Sequence, residues 1–80
     1  MKFTYDHRYN IAYIQFQKKQ GEVESIRVSD ELVIDIAPDG TVYGVELLNA
    51  NEQLGREDNG KFLFINEATD ERIELPLAVE

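Results

Sequence analysis

Residues 32–47, LVIDIAPDGTVYGVEL, contain two apolar runs on either side of a turn sequence. In the turn, Pro38 presets its own backbone angle and Gly40 allows a positive φ, which is typical of a tight connection between antiparallel strands. Closing the hairpin there pairs apolar residues across the two strands: Leu32 with Leu47, Ile34 with Val45, and Ile36 with Tyr43. Because side chains alternate between the faces of a strand, the pattern predicts one apolar face on the inside of the sheet.

Two further strands are predicted before this hairpin. Phe3 and Tyr5 alternate with polar neighbours, and the same period of two recurs around Ala12 and Ile14. A loop at residues 7–10 would place Tyr5 opposite Ala12 and Phe3 opposite Ile14, with all four side chains on one face.

A third strand is predicted to run back beside the second. Phe16 would then oppose Val23, but Ile26 and Val28 fall in the other phase of the alternation. A β-bulge near residues 24–25 would supply the extra residue and return both side chains to the apolar face.

The last part of the chain predicts a short helix and a final hairpin. Asn49 precedes Glu52 by three residues, which is typical of a helix start, so we expect a helical segment near residues 49–54. Residues 62–65 are all apolar, and apolar residues alternate with other residues over 72–77, on the far side of a turn at 67–70. The fold class is therefore mainly β (small α+β), an antiparallel β-meander of about six to seven short strands, in a single domain spanning residues 1–80.

The charge of the chain is strongly acidic and uneven. Among the 80 residues, 16 are acidic and 8 are basic, a net charge of −8. Residues 1–20 hold four basic side chains and one acidic one, which leaves four basic and 15 acidic for residues 21–80. An anionic surface repels phosphate, so we expect no nucleic-acid partner, whereas a basic protein partner would suit it. Alternatively, the acidic excess serves only to keep sheet edges from associating.

The composition also indicates a cytoplasmic protein. The chain has no cysteine, and its first residues lack the apolar run of a secretion signal. No apolar stretch is long enough to cross a membrane, so we expect no membrane partner. A domain of this size buries only about 60–65% of its unfolded surface, which makes self-association favourable.

Several apolar residues are predicted to lie on the second face of the sheet. Leu63 and Ile65 alternate with the two phenylalanines of the same strand, and Tyr13 lies on the face opposite the main core. Something must cover these side chains: the short helix, the chain's own hairpin or a second subunit. We therefore expect a homodimer that buries part of this face, with Tyr13, Leu63 and Ile65 as candidate interface residues.

A candidate ligand site lies on the same face. The predicted register brings Asp35 beside Gly44 and places Glu46 diagonally across. Two neighbouring carboxylates can hold a hard cation or share a proton for acid–base work, and the glycine would leave room for a ligand. Alternatively, the glycine only relieves crowding and both acids are solvated or paired with Arg27 or Arg72.

The chain lacks the motifs of common enzymes and cofactor sites. The single histidine, His7, is predicted in a solvated loop, and neither Ser25 nor Ser29 lies in the glycine-flanked turn that a catalytic serine needs. No glycine-rich phosphate loop or zinc-binding pattern is present. We therefore expect a protein without enzymatic activity and without a bound cofactor or metal.

The order of these segments resembles a family of short bacterial proteins, the YuzE-like domain-of-unknown-function family. The resemblance covers Phe3 to Leu54 and rests on these stretches: 4–6, 12–14, 33–35, 39–40 and 44–50. It departs at His7, Arg8 and Asn10, where the family more often has proline and acidic residues. The resemblance implies a small cytoplasmic antiparallel sheet and carries no activity, substrate or cofactor.

Together these patterns favour a small interaction module that is not an enzyme. Its acidic surface or a free sheet edge would engage a protein partner, in an antitoxin-like manner if that partner is basic. The alternative is a ligand-binding, cation-binding or weakly catalytic site built on Asp35 and Glu46.

Overall fold

A computed structural model of the chain describes residues 1–79. Seven strands and one helix follow one another there: β1 (Lys2–Asp6), β2 (Ile11–Gln15), β3 (Glu24–Ser29), β4 (Leu32–Ile36), β5 (Val42–Leu48), α1 (Ala50–Gly55), β6 (Lys61–Asn66) and β7 (Glu71–Pro76). The first five strands form one antiparallel sheet and the last two form another. The predicted fold class, mainly β with about seven short strands and one short helical segment, is confirmed.

The larger sheet has the strand order β1-β2-β5-β4-β3. The pairing of β1 with β2 has the predicted register, but the order departs from a simple meander because β2 pairs with β5. The prediction that the third strand lies beside the second is therefore wrong, and so is the bulge near residues 24–25. Strand β3 pairs with β4, and its register shifts between Arg27 and Ser29.

The physical reason lies in the composition of the two competing strands. Strand β5, VYGVELL, offers a long apolar edge to β2, with five consecutive partners from Ile11–Leu48 to Gln15–Gly44. Strand β3, ESIRVS, is more polar and suits the solvated edge of the sheet. The connection from β2 to β3, residues 16–23, must therefore cross to the far edge. We call it the crossover loop.

The β4–β5 hairpin has the predicted register over most of its length. Two of the predicted pairs are confirmed: Leu32 with Leu47 and Ile34 with Val45. The third is wrong, because the register shifts and Ile36 pairs with Val42. Tyr43 is the extra residue of this bulge, and its buried side chain donates a hydrogen bond from the hydroxyl to the carbonyl oxygen of Gln20 at 2.6 Å.

Helix α1 begins at Ala50, one residue after the start of the predicted segment. The predicted cap, Asn49, makes no capping bond and donates its side-chain amide to Glu52 at 2.7 Å. Instead, Asn10 of the β1–β2 loop accepts the backbone amide of Asn51 at 2.8 Å, from 41 residues away in the sequence. The helix is thus attached to the first hairpin. No helix in residues 1–79 is long and apolar enough to cross a membrane.

The β6–β7 hairpin closes through the predicted turn, where the Asp70 amide donates to the Asn66 carbonyl at 2.8 Å. Four apolar side chains form two directly opposed pairs on one of its faces: Phe62 with Leu75 and Phe64 with Ile73. We call this set the hairpin apolar face. The opposite face carries Leu63 and Ile65, which pair with Glu74 and Arg72.

The buried core of the chain is small. Within residues 1–79 its apolar members are three alanines and one tyrosine: Ala12, Ala37, Ala50 and Tyr43. Among residues 1–79 no large side chain is fully buried. The radius of gyration is 14.1 Å, against about 12 Å for a compact chain of this length. Much apolar surface is therefore left open, chiefly on the β6–β7 hairpin and along β3.

Candidate functional site

Asp35 on β4 is the centre of a polar cluster on one face of the main sheet. Its carboxylate accepts hydrogen bonds from the hydroxyls of Tyr13 at 2.9 Å and Ser25 at 2.6 Å, and it pairs with Lys19 Nζ at 3.0 Å. Asp35 is only 6% exposed, so these three donors take the place of water around the charge. We call these four residues the Asp35 cluster.

Strand register and one glycine position the cluster. Ser25 lies opposite Asp35 on one side, and Gly44 lies opposite it on the other. Tyr13 belongs to the neighbouring row of the sheet and reaches Asp35 by lying across Gly44. A Cβ atom at residue 44 would lie 2.6 Å from the Tyr13 hydroxyl oxygen and 2.5 Å from the Ile14 carbonyl oxygen. Only glycine therefore leaves room for the phenol.

The electrostatics of the cluster stabilise one protonation state. Burial disfavours the charge on Asp35, but the hydrogen bonds from Ser25, Lys19 and Tyr13 outweigh it and hold the pKa of the carboxyl below its ordinary value. Burial and the bond to Asp35 raise the pKa of Tyr13. The bond to Asp35 raises the pKa of Lys19. At neutral pH the cluster is an ion pair with a neutral phenol, and all three pKa values move away from the range that general acid–base chemistry needs.

The cluster fastens the crossover loop to the sheet. Lys19 belongs to this loop, and its ammonium group lies 5.2 Å from the centre of the Tyr13 ring as well as against Asp35. The next residue, Gln20, accepts the Tyr43 hydroxyl at 2.6 Å. Two adjacent loop residues are thus bound to side chains of the sheet, where the connection passes the ends of β5 and β4.

The candidate ligand residues are only partly brought together. Asp35, Gly44 and Tyr13 are in contact, but the space beside the glycine is filled by the phenol. Glu46 lies opposite Val33 as predicted, and among residues 1–79 its carboxylate has no hydrogen bond or ion pair. Within the same residues, no three histidine or acidic side chains stand close enough to hold a metal ion.

Sequence reasoning did not find Lys19 or Ser25. The cation beside Asp35 is Lys19, rather than Arg27 or Arg72 as the alternative reading supposed. Arg27 lies near Asp30 instead, at 3.7 Å. The basic pair at residues 18–19 is the one feature of the sequence that could have indicated Lys19. It could be linked to Asp35 only with knowledge of the strand order, which determines the path of this loop.

The apolar surfaces form a second candidate site. An open cleft of about 300 Å³ lies between the N-terminal strand and the base of the β6–β7 hairpin, lined by Met1, Phe3, Ile14, Phe16 and Phe62. It continues along Phe3 and Phe62 into a second space of about 300 Å³ that reaches Leu75 and Leu77. We call the two spaces the apolar cleft. The candidate interface residues Leu63 and Ile65, on the other face of the hairpin, are half-exposed and are not covered by α1.

Comparison with known proteins gives one match. The model of a family described as "Protein of unknown function (DUF2283)" matches residues 2–51. The match covers β1 to β5 and ends at the start of α1, before the β6–β7 hairpin. No curated protein and no solved structure matches. The resemblance seen in the sequence is thus confirmed as one to a domain of unknown function, while the YuzE-like name stays a prediction.

Proposed function

Because the chain belongs to the DUF2283 family, whose description names no function, we propose from its surfaces that it is a small protein-interaction module without enzymatic activity. The observation that carries the proposal is the edge strand β3. It lies at the end of the strand order, and all six of its residues are exposed.

An exposed edge can bind an extended segment of another protein. One side of the β3 backbone has no strand partner in the sheet of residues 1–79, so its amide and carbonyl groups can add a further strand. Ile26 and Val28 project from β3 as half-exposed apolar side chains. Glu22, Glu24 and Asp30 flank them, against one base, Arg27, which lies 3.7 Å from Asp30. An extended segment that carries both apolar and basic residues would match this edge in backbone and in charge.

We further propose that the partner is a basic protein, engaged in an antitoxin-like manner in the bacterial cytoplasm. Residues 21–80 hold 15 acidic and four basic side chains, which would steer a cationic partner to this part of the chain and mask its charge. The absence of cysteine and the resemblance to short bacterial proteins support the setting.

The working unit in this proposal is a homodimer. The accessible surface is 6182 Å², whereas a compact monomer of 9.2 kDa would expose about 4,900 Å². A chain with so small a core and so much open apolar surface gains stability when a second copy covers part of it.

A peptide titration tests the edge. Chemical shifts of the ¹⁵N-labelled protein are followed while a short peptide of alternating valine and lysine is added, and in parallel one of valine and glutamate. We expect salt-sensitive shifts of the amides of Glu24–Ser29 with the lysine peptide only. A Glu24→Lys variant should bind it more weakly, whereas Glu57→Lys, the same charge change in the α1–β6 connection, should bind nearly as wild type. No response at β3 would overturn the proposal.

The contacts of Asp35 do not favour the alternative, a ligand- or cation-binding or weakly catalytic site on Asp35 and Glu46. The oxygens of Asp35 are occupied by three donors of the chain itself. A carboxylate so paired has little left to offer a cation.

A further inference from the structure

We propose that the homodimer forms by reciprocal docking of the β6–β7 hairpins. The hairpin apolar face of each copy covers the apolar cleft of the other. This inference rests on the homodimer of the proposed function and names the two surfaces that build it.

The outer half of the hairpin apolar face is not covered by other residues of its own chain. At the base of the hairpin, Phe62 and Leu75 line the apolar cleft. Phe64 and Ile73, one pair nearer the turn, line neither part of it and are 52% and 64% exposed. Directly opposed large apolar side chains at this exposure are typical of a surface that another chain covers.

The apolar cleft offers a matching surface. Its walls include two half-exposed phenylalanines, Phe3 of β1 and Phe16 at the start of the crossover loop. The chain's own hairpin touches it only with its base, so space for further apolar side chains remains. Phe64 and Ile73 of a second copy have the chemistry that such a cleft binds.

Charge fixes the direction of docking. The turn end of the hairpin, residues 66–72, carries three acids and one base: Glu67, Asp70 and Glu71, with Arg72. Lys2 and Lys18 border the cleft beside Phe16. The hairpin base lies at the cleft of its own chain, so its acidic turn is directed away from these lysines. In the reciprocal arrangement each acidic turn reaches the basic border of the other copy, although the two chains carry the same net charge.

The area and the symmetry are consistent with a closed dimer. The chain exposes about 1,300 Å² more than a compact monomer of its mass, and a standard interface buries about 800 Å² per partner. A two-fold arrangement uses both hairpins and both clefts, so no open apolar surface is left to add a third copy. The family match ends at residue 51, so the hairpin lies outside the matched segment.

Sedimentation of the full chain tests the inference first. We expect the wild type at high micromolar concentration to sediment at twice the 9.2 kDa of one chain. The double variant Phe64→Ser/Ile73→Ser should be a monomer. Leu63→Ser/Ile65→Ser, which makes a similar change on the opposite face of the hairpin, should remain a dimer. Amide shift dispersion checks that each variant is folded.

Cross-linking tests the direction of docking without deleting an apolar side chain. The chain has no cysteine, so Lys18→Cys and Glu71→Cys variants can be mixed, each chain carrying a single thiol. We expect a mixed disulfide between the two variants, and far less of it when Asn59→Cys replaces Glu71→Cys. This experiment decides the matter if the serine variants fail to fold.

The outcomes separate the two proposals. A wild-type chain that is monomeric at high micromolar concentration overturns both the homodimer and its hairpin interface, while peptide binding at β3 is unaffected. A wild-type dimer that survives Phe64→Ser/Ile73→Ser in a folded protein, or that loses its partner only with Leu63→Ser/Ile65→Ser, overturns the hairpin inference alone.

Discussion

The phenol of Tyr13 lies across the backbone of Gly44, so close that a Cβ atom at residue 44 would lie 2.6 Å from its hydroxyl oxygen. A glycine weakens a strand by roughly 0.5–1 kcal/mol relative to alanine. Here it opens the path by which the hydroxyl reaches Asp35 at 2.9 Å. The space beside Gly44 is therefore occupied by the Tyr13 side chain of the same chain, and the Tyr13 hydroxyl helps to hold the buried carboxylate of Asp35.

Gly44→Ala should destabilise the fold. The added methyl group meets the Tyr13 phenol and the Ile14 carbonyl oxygen, the latter at 2.5 Å, and backbone cannot move aside as a side chain can. Overpacking of this kind costs about 1–3 kcal/mol, which urea unfolding followed by circular dichroism can measure. Gly55→Ala, at the end of α1 with nothing within 4 Å, is the matched control. It should raise the free energy of unfolding by up to about 1 kcal/mol.

The two alanine variants should therefore change the free energy of unfolding in opposite directions: Gly44→Ala should lower it and Gly55→Ala should raise it. In a Tyr13→Ala background, Gly44→Ala should cost less than it does in the wild type, but it should still destabilise because the Ile14 carbonyl oxygen remains in the way. A Gly44→Ala protein as stable as the wild type would show that the phenol does not lie where the structure puts it.

Asp35→Asn should destabilise the protein at neutral pH by about 1–3 kcal/mol, since it replaces charge-assisted hydrogen bonds by neutral ones. The loss is not larger because the hydroxyls of Tyr13 and Ser25 can accept from the new amide. Glu46→Gln, on the same face but outside the Asp35 cluster, should change the free energy of unfolding at neutral pH by less than about 0.5 kcal/mol. Equal losses in the two variants would contradict a special role for Asp35.

The same variant should alter the pH dependence of stability. The pKa of Asp35 is lower in the folded protein than in the unfolded chain. Its contribution is therefore fully present above the unfolded pKa of about 4 and is lost as the pH falls through the folded pKa. We expect the stability difference between wild type and Asp35→Asn to shrink below about pH 4, as measured by urea unfolding at a series of pH values. A difference that stays constant to low pH would rule out this linkage.

Local patterns were sufficient for the parts of the fold that depend on neighbours along the chain. Ile34 and Val45 meet because a turn sequence stands between two alternating runs, and that register was predictable. The partner of β2 was not predictable, because β3 and β5 could both pair with it in an antiparallel direction. Which of the two strands pairs with β2 depends on the whole sheet. Tyr43 does not pair with Ile36 as predicted, because β5 has a bulge at this residue. The regular alternation of the sequence gives no sign of that bulge.

The candidate site was incompletely predicted for the same reason. Asp35 and Gly44 are cross-strand neighbours in one hairpin, so their proximity followed from its register. Ser25 comes from β3, whose register with β4 shifts between Arg27 and Ser29, and that shift could not be seen in the sequence. Lys19 comes from the crossover loop, whose path depends on the strand order.

Lys19→Gln should loosen the crossover loop while leaving the sheet folded. It removes the ion pair with Asp35 and the contact with the Tyr13 ring, but Lys19 is 47% exposed, so the global loss should be below about 1 kcal/mol. Hydrogen exchange should show faster exchange of the loop amides. At a protein concentration low enough for the chain to be a monomer, Lys18→Gln removes the same charge from the neighbouring position and should leave the loop amides as in the wild type.

A second contact should keep the loop partly in place in that variant. Tyr43→Phe removes the hydroxyl that binds the Gln20 carbonyl. Combined with Lys19→Gln, it should speed loop exchange by about the product of the two single effects if both contacts hold the same closed state, because their free energies then add. A double variant that exchanges no faster than the faster single variant would mean that the two contacts do not hold one closed state.

Asn10→Ala should weaken the attachment of α1 to the first hairpin. The side chain of Asn10 accepts the Asn51 amide and donates to the Asn51 side chain, both at 2.8 Å, and alanine can do neither. The residue also has a φ of 55°, which alanine adopts less readily than asparagine. Asn59 has the same φ of 55° and an exposed side chain, so Asn59→Ala measures the backbone effect alone. Asn10→Ala should cost about 1–2 kcal/mol more than Asn59→Ala in thermal or urea unfolding. Equal losses would mean that the cap seen in the structure contributes nothing to stability.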